Sequence, residues 1–162
     1  MKINLTKANF FLKCFALTKV PLILFTGVSI VEISDQRTVV KIPLNWRTKN
    51  HLKSMYFGAL SVGADVAAGL YASLLIQESK LKIQLSFKDF KANFLKRPTA
   101  DVYFVVDNAQ QIMKFVSDIA KNPGIRKNLT VPVYAATNHR DVANSLVAEF
   151  ALTLSLKLSP KN

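Results

Sequence analysis

Residues 57–76 read Phe57-Gly-Ala-Leu-Ser-Val-Gly-Ala-Asp-Val-Ala-Ala-Gly-Leu-Tyr-Ala-Ser-Leu-Leu-Ile76. Leu60, Ala64, Ala67, Tyr71 and Leu74 recur at helical spacing. The stretch is apolar on most sides and full of glycine and alanine, which predicts a helix buried on most of its faces. The flanking sequence supplies strands to cover it. Val28–Ile33 and Thr38–Leu44 read as a hairpin turning at Ser34-Asp35-Gln36. Leu81, Ile83, Leu85 and Phe87 alternate with Lys82, Gln84, Ser86 and Lys88. The apolar phase then slips to Phe90, Ala92 and Phe94, which predicts a β-bulge near Lys88-Asp89. Asp101–Val106 is a further strand, and Leu129–Thr137 is another, placed near an edge or a bulge by Pro132. The last strand puts Leu146, Ala148, Phe150, Leu152, Leu154, Leu156 and Leu158 on one face. About six mostly contiguous strands bent around one central helix make an α+β fold. Strand–helix alternation and a Gly-rich phosphate loop are both missing, which argues against a parallel nucleotide-binding fold.

The chain has 162 residues, half of them hydrophobic, which suits one domain over 1–162 with a core that needs no disulfide or structural metal. Within it, 1–20 is an N-terminal helical segment, helical from Asn9 to about Thr18, and 57–76 is the central helix. Asn108 is expected to cap a short helix with Gln111 in the capping-box position and Ile112, Val116 and Ile119 as its apolar stripe. A single cysteine, Cys14, excludes a disulfide framework and a cysteine-based zinc site. Two histidines, His51 and His139, both in polar loops, make a histidine-rich metal site improbable, so no metal or cofactor is expected. Lys13, Lys19, Pro21 and Gly27 interrupt the greasy N-terminal stretch. It therefore reads as neither a signal peptide nor a membrane span, and the chain as cytoplasmic.

Only ten residues are acidic. Nine fall in turns, at strand ends or on polar faces; Asp65 falls inside the most apolar helix. A lone carboxylate there is costly if buried and unpaired. Two readings follow. Asp65 is solvated or paired with a lysine on a groove-facing stripe, or it is held in a low-polarity cleft as a general base.

The run Asn50-His-Leu-Lys-Ser-Met-Tyr-Phe-Gly-Ala-Leu-Ser-Val-Gly-Ala-Asp65 resembles the signature of hotdog-fold acyl-CoA thioesterases of the phenylacetate-degradation type. That pattern is Asn or Gln, five residues, His-Gly-Gly, then a helix carrying Asp or Glu nine residues after the His. Tyr56 to Asp65 keeps the spacing, and Phe94-Leu-Lys-Arg-Pro98 resembles the family's aromatic-Leu-x-Pro strand end. The resemblance implies a hotdog fold, a curved antiparallel sheet around a central helix, working as a homodimer or dimer of dimers. It implies thioester hydrolysis with Asp65 as base or nucleophile, the backbone N–H of Phe57 as oxyanion donor, and Asn50 orienting the water or carbonyl, with the site shared between two subunits. Tyr56, Phe57 and Gly58 stand where the family has His-Gly-Gly. A backbone donor survives that change, because any residue but proline carries the N–H. Phe57 nonetheless puts a large side chain where the thioester approaches, so an acyl-CoA- or lipid-binding protein without hydrolysis is the alternative.

Lysine and arginine number 22, giving a net charge of +12. Lys96 and Arg97, at a strand end beside Pro98, are candidates for coenzyme A phosphates, with Arg126-Lys127 next. Lys88 is a candidate partner of Asp65 or of substrate. A nucleic-acid-binding domain is a remote third reading, since no recognition helix, RNP-like strand or zinc finger is apparent.

Overall fold

A computed structural model describes residues 4–159. Two helices open the chain, α1 (Leu5–Thr18) and α2 (Pro21–Thr26). Helix α1 begins earlier than periodicity predicted, because Asn4 caps it by accepting the Lys7 N–H at 3.1 Å. Helix α2 was not anticipated. Pro21 stands in its first turn, and Gly27, at φ 70°, ends it and turns the chain toward the sheet.

Six strands form one antiparallel sheet in the order β1-β2-β4-β5-β6-β3. They are β1 (Ser29–Ile33), β2 (Thr38–Ile42), β3 (Ile83–Phe94), β4 (Val102–Val106), β5 (Arg126–Ala136) and β6 (Leu146–Leu158). The central helix α3 spans Phe57–Ser79, three residues longer than expected, and stops where Lys80 takes up φ 55°. It buries twelve residues, among them Leu60, Ala64, Leu70 and Tyr71. By length and hydropathy α3 could cross a membrane, yet here it is the core that the sheet encloses. Helix α4 (Ala109–Ala120) packs on it through Ile112, Val116 and Ile119, while the short α5 (Val142–Ser145) precedes β6. Gly63 is required by this packing. A Cβ there would run into the Phe104 ring, so only glycine lets β4 approach the helix so closely. The curved antiparallel sheet around α3 is the hotdog fold.

The expected bulge is present. Phe87 pairs with Leu154 and Phe90 with Leu152, so Lys88 and Asp89 together oppose Thr153. Asp89 Oδ1 accepts the Thr153 hydroxyl at 2.8 Å, and Thr153 meets Thr130 at 3.0 Å, which pins the bend. Two expectations are corrected. Strand β5 lies inside the sheet; Pro132 is tolerated because pairing with β4 ends at Tyr134, before Pro132 is reached. Asn108 does not form a capping box: its side chain caps no N–H and its Nδ2 instead meets Gln111 Oε1 at 3.4 Å.

The two sheet edges are treated differently. At β1, the Asn9 side chain of α1 accepts the Ile30 N–H at 2.9 Å and donates to the Ile30 carbonyl at 3.0 Å, so a helix covers that edge. Strand β3 pairs with β6 on one side and, among the described residues, has no strand on the other, although it is twelve residues long.

Candidate active site

The loop before α3 sets the helix start. The Thr48 hydroxyl donates to the Pro43 carbonyl at 2.6 Å, and the Thr48 carbonyl accepts the Tyr56 N–H at 2.8 Å. The Met55 N–H donates to Pro98 at 2.9 Å and fastens the loop to the segment after β3. Asp101 Oδ1 accepts the Leu44 N–H, and Lys41 lies 3.1 Å from its other oxygen. Those contacts, the backbone bond first, hold the Asp101 carboxyl below its ordinary range against a smaller opposing effect of burial. These bonds gather Asn50, Tyr56, Phe57, Lys96, Arg97 and Pro98 around one cleft.

Within the cleft, Asn50 Oδ1 accepts from the N–H groups of Leu52 and Ser54 and from the Ser54 hydroxyl. Its oxygen is thus committed to its own turn, and only Nδ2 is left to meet a ligand. Tyr56 precedes α3 with no side-chain cap, and the first helical N–H groups paired back to it are those of Ala59 and Leu60. Among the described residues, the N–H groups of Phe57 and Gly58 find no acceptor. Such orphan donors at the positive end of a helix favour a developing oxyanion. The Tyr56 ring folds over this turn, 4.7 Å from the Phe57 ring centroid. A Cβ on Gly58 would come within 2.5 Å of Tyr56 Cε1, so Gly58 makes room for the ring. Phe57 itself is exposed and meets Phe94 edge-on at 6.3 Å.

Asp65 lies two turns further along α3, on a different recess. Beneath α1 and α2, a cavity of about 190 Å³ is lined by Phe11, Phe15, Ile23, Gly69 and Phe87, with Asp65 on its wall. The same carboxylate borders an open depression with Ser61, Phe87 and Phe90 on the bulge side of β3. It therefore sits between an apolar chamber and the bare sheet edge. Among the described residues no cation pairs with it. Lys88 does not reach it, so the ion pair considered from sequence is absent and Lys88 stands exposed on the bulge. Burial alone raises the Asp65 carboxyl above its ordinary value. The chamber residues of α1, α2 and β3 were not singled out from sequence, because three separate elements converge there and none carries a local signal.

The family "Domain of unknown function (DUF4442)" matches residues 8–156. The chain belongs to that family. Solved structures agree on the fold. A thioesterase from Haemophilus influenzae is similar at 16% identity and a TM-score of 0.71, over 100% of this chain and 96% of its own. A protein of unknown function from Chlorobaculum tepidum reaches a TM-score of 0.80 at 12% identity, over 96% and 97%. A thioesterase variant from Pseudomonas aeruginosa reaches 0.66 at 14%, over 98% and 96%. No curated protein matches the chain. This DUF4442 protein thus shares the hotdog fold of those structures.

One distance constrains any chemistry. Eight residues separate Phe57 from Asp65, and an α-helix rises about 1.5 Å per residue, so the two stand about 12 Å apart along α3. A carbonyl held within about 3 Å of an oxyanion donor would lie far beyond the reach of a base on the same helix. Within one chain, the cleft and the carboxylate are therefore separate.

Proposed function

We propose that this protein hydrolyses an acyl thioester of coenzyme A. The observation that carries the reading is Asp65: a desolvated carboxylate with no ion-pair partner among the described residues, placed where an apolar chamber meets the bare β3 edge. The hotdog fold and the thioesterases among the similar structures support it.

The chamber receives the acyl chain. Two copies pair along β3, which brings Asp65 of one to the α3 N-terminus of the other. Asp65 takes a proton from a water as that water attacks the thioester carbonyl; direct attack by the carboxylate is the other route open to it. The Phe57 N–H, at the positive end of α3, stabilises the oxyanion. Asn50 Nδ2 orients the carbonyl or the water. Collapse expels the thiolate, which is reprotonated, leaving a carboxylic acid and free coenzyme A. Lys96 and Arg97, exposed at the cleft rim, meet the phosphates of the carrier.

One feature favours binding without turnover: the Tyr56 and Phe57 rings, in contact at a tilt of 55°, narrow the approach to the helix start. The deciding experiment follows free thiol release from acyl-CoAs of increasing chain length by the purified protein. Catalytic release that rises with enzyme concentration supports the hydrolase. Tight acyl-CoA binding with no thiol release would replace it with the binding-protein reading.

A further inference from the structure

The outward side of α2 inverts the usual pattern of a surface helix. Ile23 and Thr26 are its buried residues, whereas Pro21, Leu22, Leu24 and Phe25 face out. A surface helix ordinarily turns charged or polar residues to water. Beside it, Trp46 is 75% exposed and touches Phe25 edge-on, with ring centroids 6.1 Å apart. Leu17, at the end of α1, is 65% exposed. Of the eighteen large apolar side chains exposed on the described residues, twelve belong to residues 5–57, so exposure is concentrated at this end of the chain.

The charges near this apolar surface are mostly positive. Residues 1–31 hold four lysines and no Asp or Glu; in residues 36–64, Arg37 and Lys41 are paired with acids, whereas Arg47, Lys49 and Lys53 meet no acidic partner among the described residues. Lys19 lies exposed between α1 and α2, and the Arg47 guanidinium sits 6.0 Å over the Phe25 ring. A protein partner would need an apolar patch ringed by acids. A bilayer with anionic headgroups offers the same complement as a continuous surface: an apolar layer for Leu22, Phe25 and Trp46, and negative charge at headgroup depth for Lys19 and Arg47. Tryptophan in particular partitions to that boundary. We propose that the α2–Trp46 face docks this protein on anionic membrane surfaces. The inference does not depend on the hydrolase reading.

Trp46 is the sole tryptophan, so its fluorescence reports the face directly. The intact protein would be mixed with phosphatidylcholine vesicles containing about a third phosphatidylserine, and with phosphatidylcholine alone. Trp46 emission is expected to move to shorter wavelength, and the protein to co-sediment, with the anionic vesicles. Salt near 1 M, which cuts the screening length to about 3 Å, should weaken both effects. The exposed pair Leu22→Ser and Phe25→Ser should keep the wild-type circular dichroism and lose co-sedimentation. Unchanged emission with anionic vesicles overturns the proposal, as does equal binding to neutral ones. A blue shift that instead grows with protein concentration in the absence of lipid, and disappears in the double variant, assigns the face to a second copy of the chain.

Discussion

As the proposed base, Asp65 combines two demands that pull against each other. A base must be ionised to take a proton, yet burial raises its pKa, so the ionised form is what the fold disfavours. The sign for stability follows. With the folded pKa above the unfolded one, the native state binds the proton more tightly, and stability contributed by Asp65 is lost as pH rises through the folded value. Asp65→Asn is therefore expected to lower turnover by about 10²-fold or more. It should also melt at or above the wild-type temperature near neutral pH, with the difference closing in acid below the ordinary carboxylate value of 3.8. Wild-type hydrolysis should fall in acid along one ionisation lying above that value. Calorimetry and a pH–rate profile check both; full activity in the variant, or a melting temperature well below wild type at neutral pH, would contradict this account. Lys96 and Arg97, at the cleft rim, are proposed to act differently, through their charge. Changing both to Gln should raise KM and flatten its salt dependence while leaving kcat nearly unchanged. An unaltered KM would move the phosphates elsewhere, and Arg126 is poorly placed to receive them because its guanidinium already meets Gln84, Ser86 and Ser155.

Elements differ in what places their residues. Gly63 faces Phe104 with no space for a methyl group, so Gly63→Ala should cost about 1–3 kcal/mol, the usual range for overpacking a core, read from the denaturation midpoint. At Gly69 the neighbour is more forgiving: a Cβ would stand 3.3 Å from the Phe87 ring edge, on the chamber wall. A 150 Å³ apolar cavity holds benzene, so one of about 190 Å³ suits an acyl group of about seven or eight carbons. Gly69→Leu should shift the preference toward shorter acyl groups, measured as kcat/KM against chain length. An unchanged profile would place the chain outside this chamber. The small-residue run of α3 and the phase slip at Lys88-Asp89 were legible in the sequence, because each is a periodicity carried by consecutive residues. Asp65 was legible as the single charge in that run. Helix α2 was not: six residues, apolar nearly all round, have no period to read. The chamber was equally hidden, since it exists only where α1, α2 and β3 converge on one face of α3. The capping box failed because the Asn108 side chain satisfies Gln111 instead of the backbone.

At the scale of the molecule, the two sheet edges bear on the proposal that the site is shared between two chains. Asn9 covers β1, but β3 is left as a long open edge with Phe90 and Phe94 exposed, a form that invites pairing with another chain. A two-fold pairing along β3 would cover both edges at once and bring each Asp65 toward the other chain's α3 N-terminus. Phe57→Pro offers a way to test this without disturbing the fold. Proline is favoured at the first helical position, and Tyr56, at φ −66° and ψ 138°, already has the conformation required before a proline. The substitution removes the N–H assigned to the oxyanion and leaves Asp65 in place, whereas Asp65→Asn does the reverse. Each variant alone should be nearly inactive. In a mixture unfolded and refolded together at equal amounts, half of the dimers would be mixed, and each mixed dimer would hold one site with both groups intact. Activity should then recover to about a quarter of wild type. Recovery of that size would place the two groups on different subunits. If the mixture stays inactive while light scattering reports dimers, the cross-subunit site is wrong. If scattering reports only an 18.1 kDa species, the pairing along β3 is wrong as well.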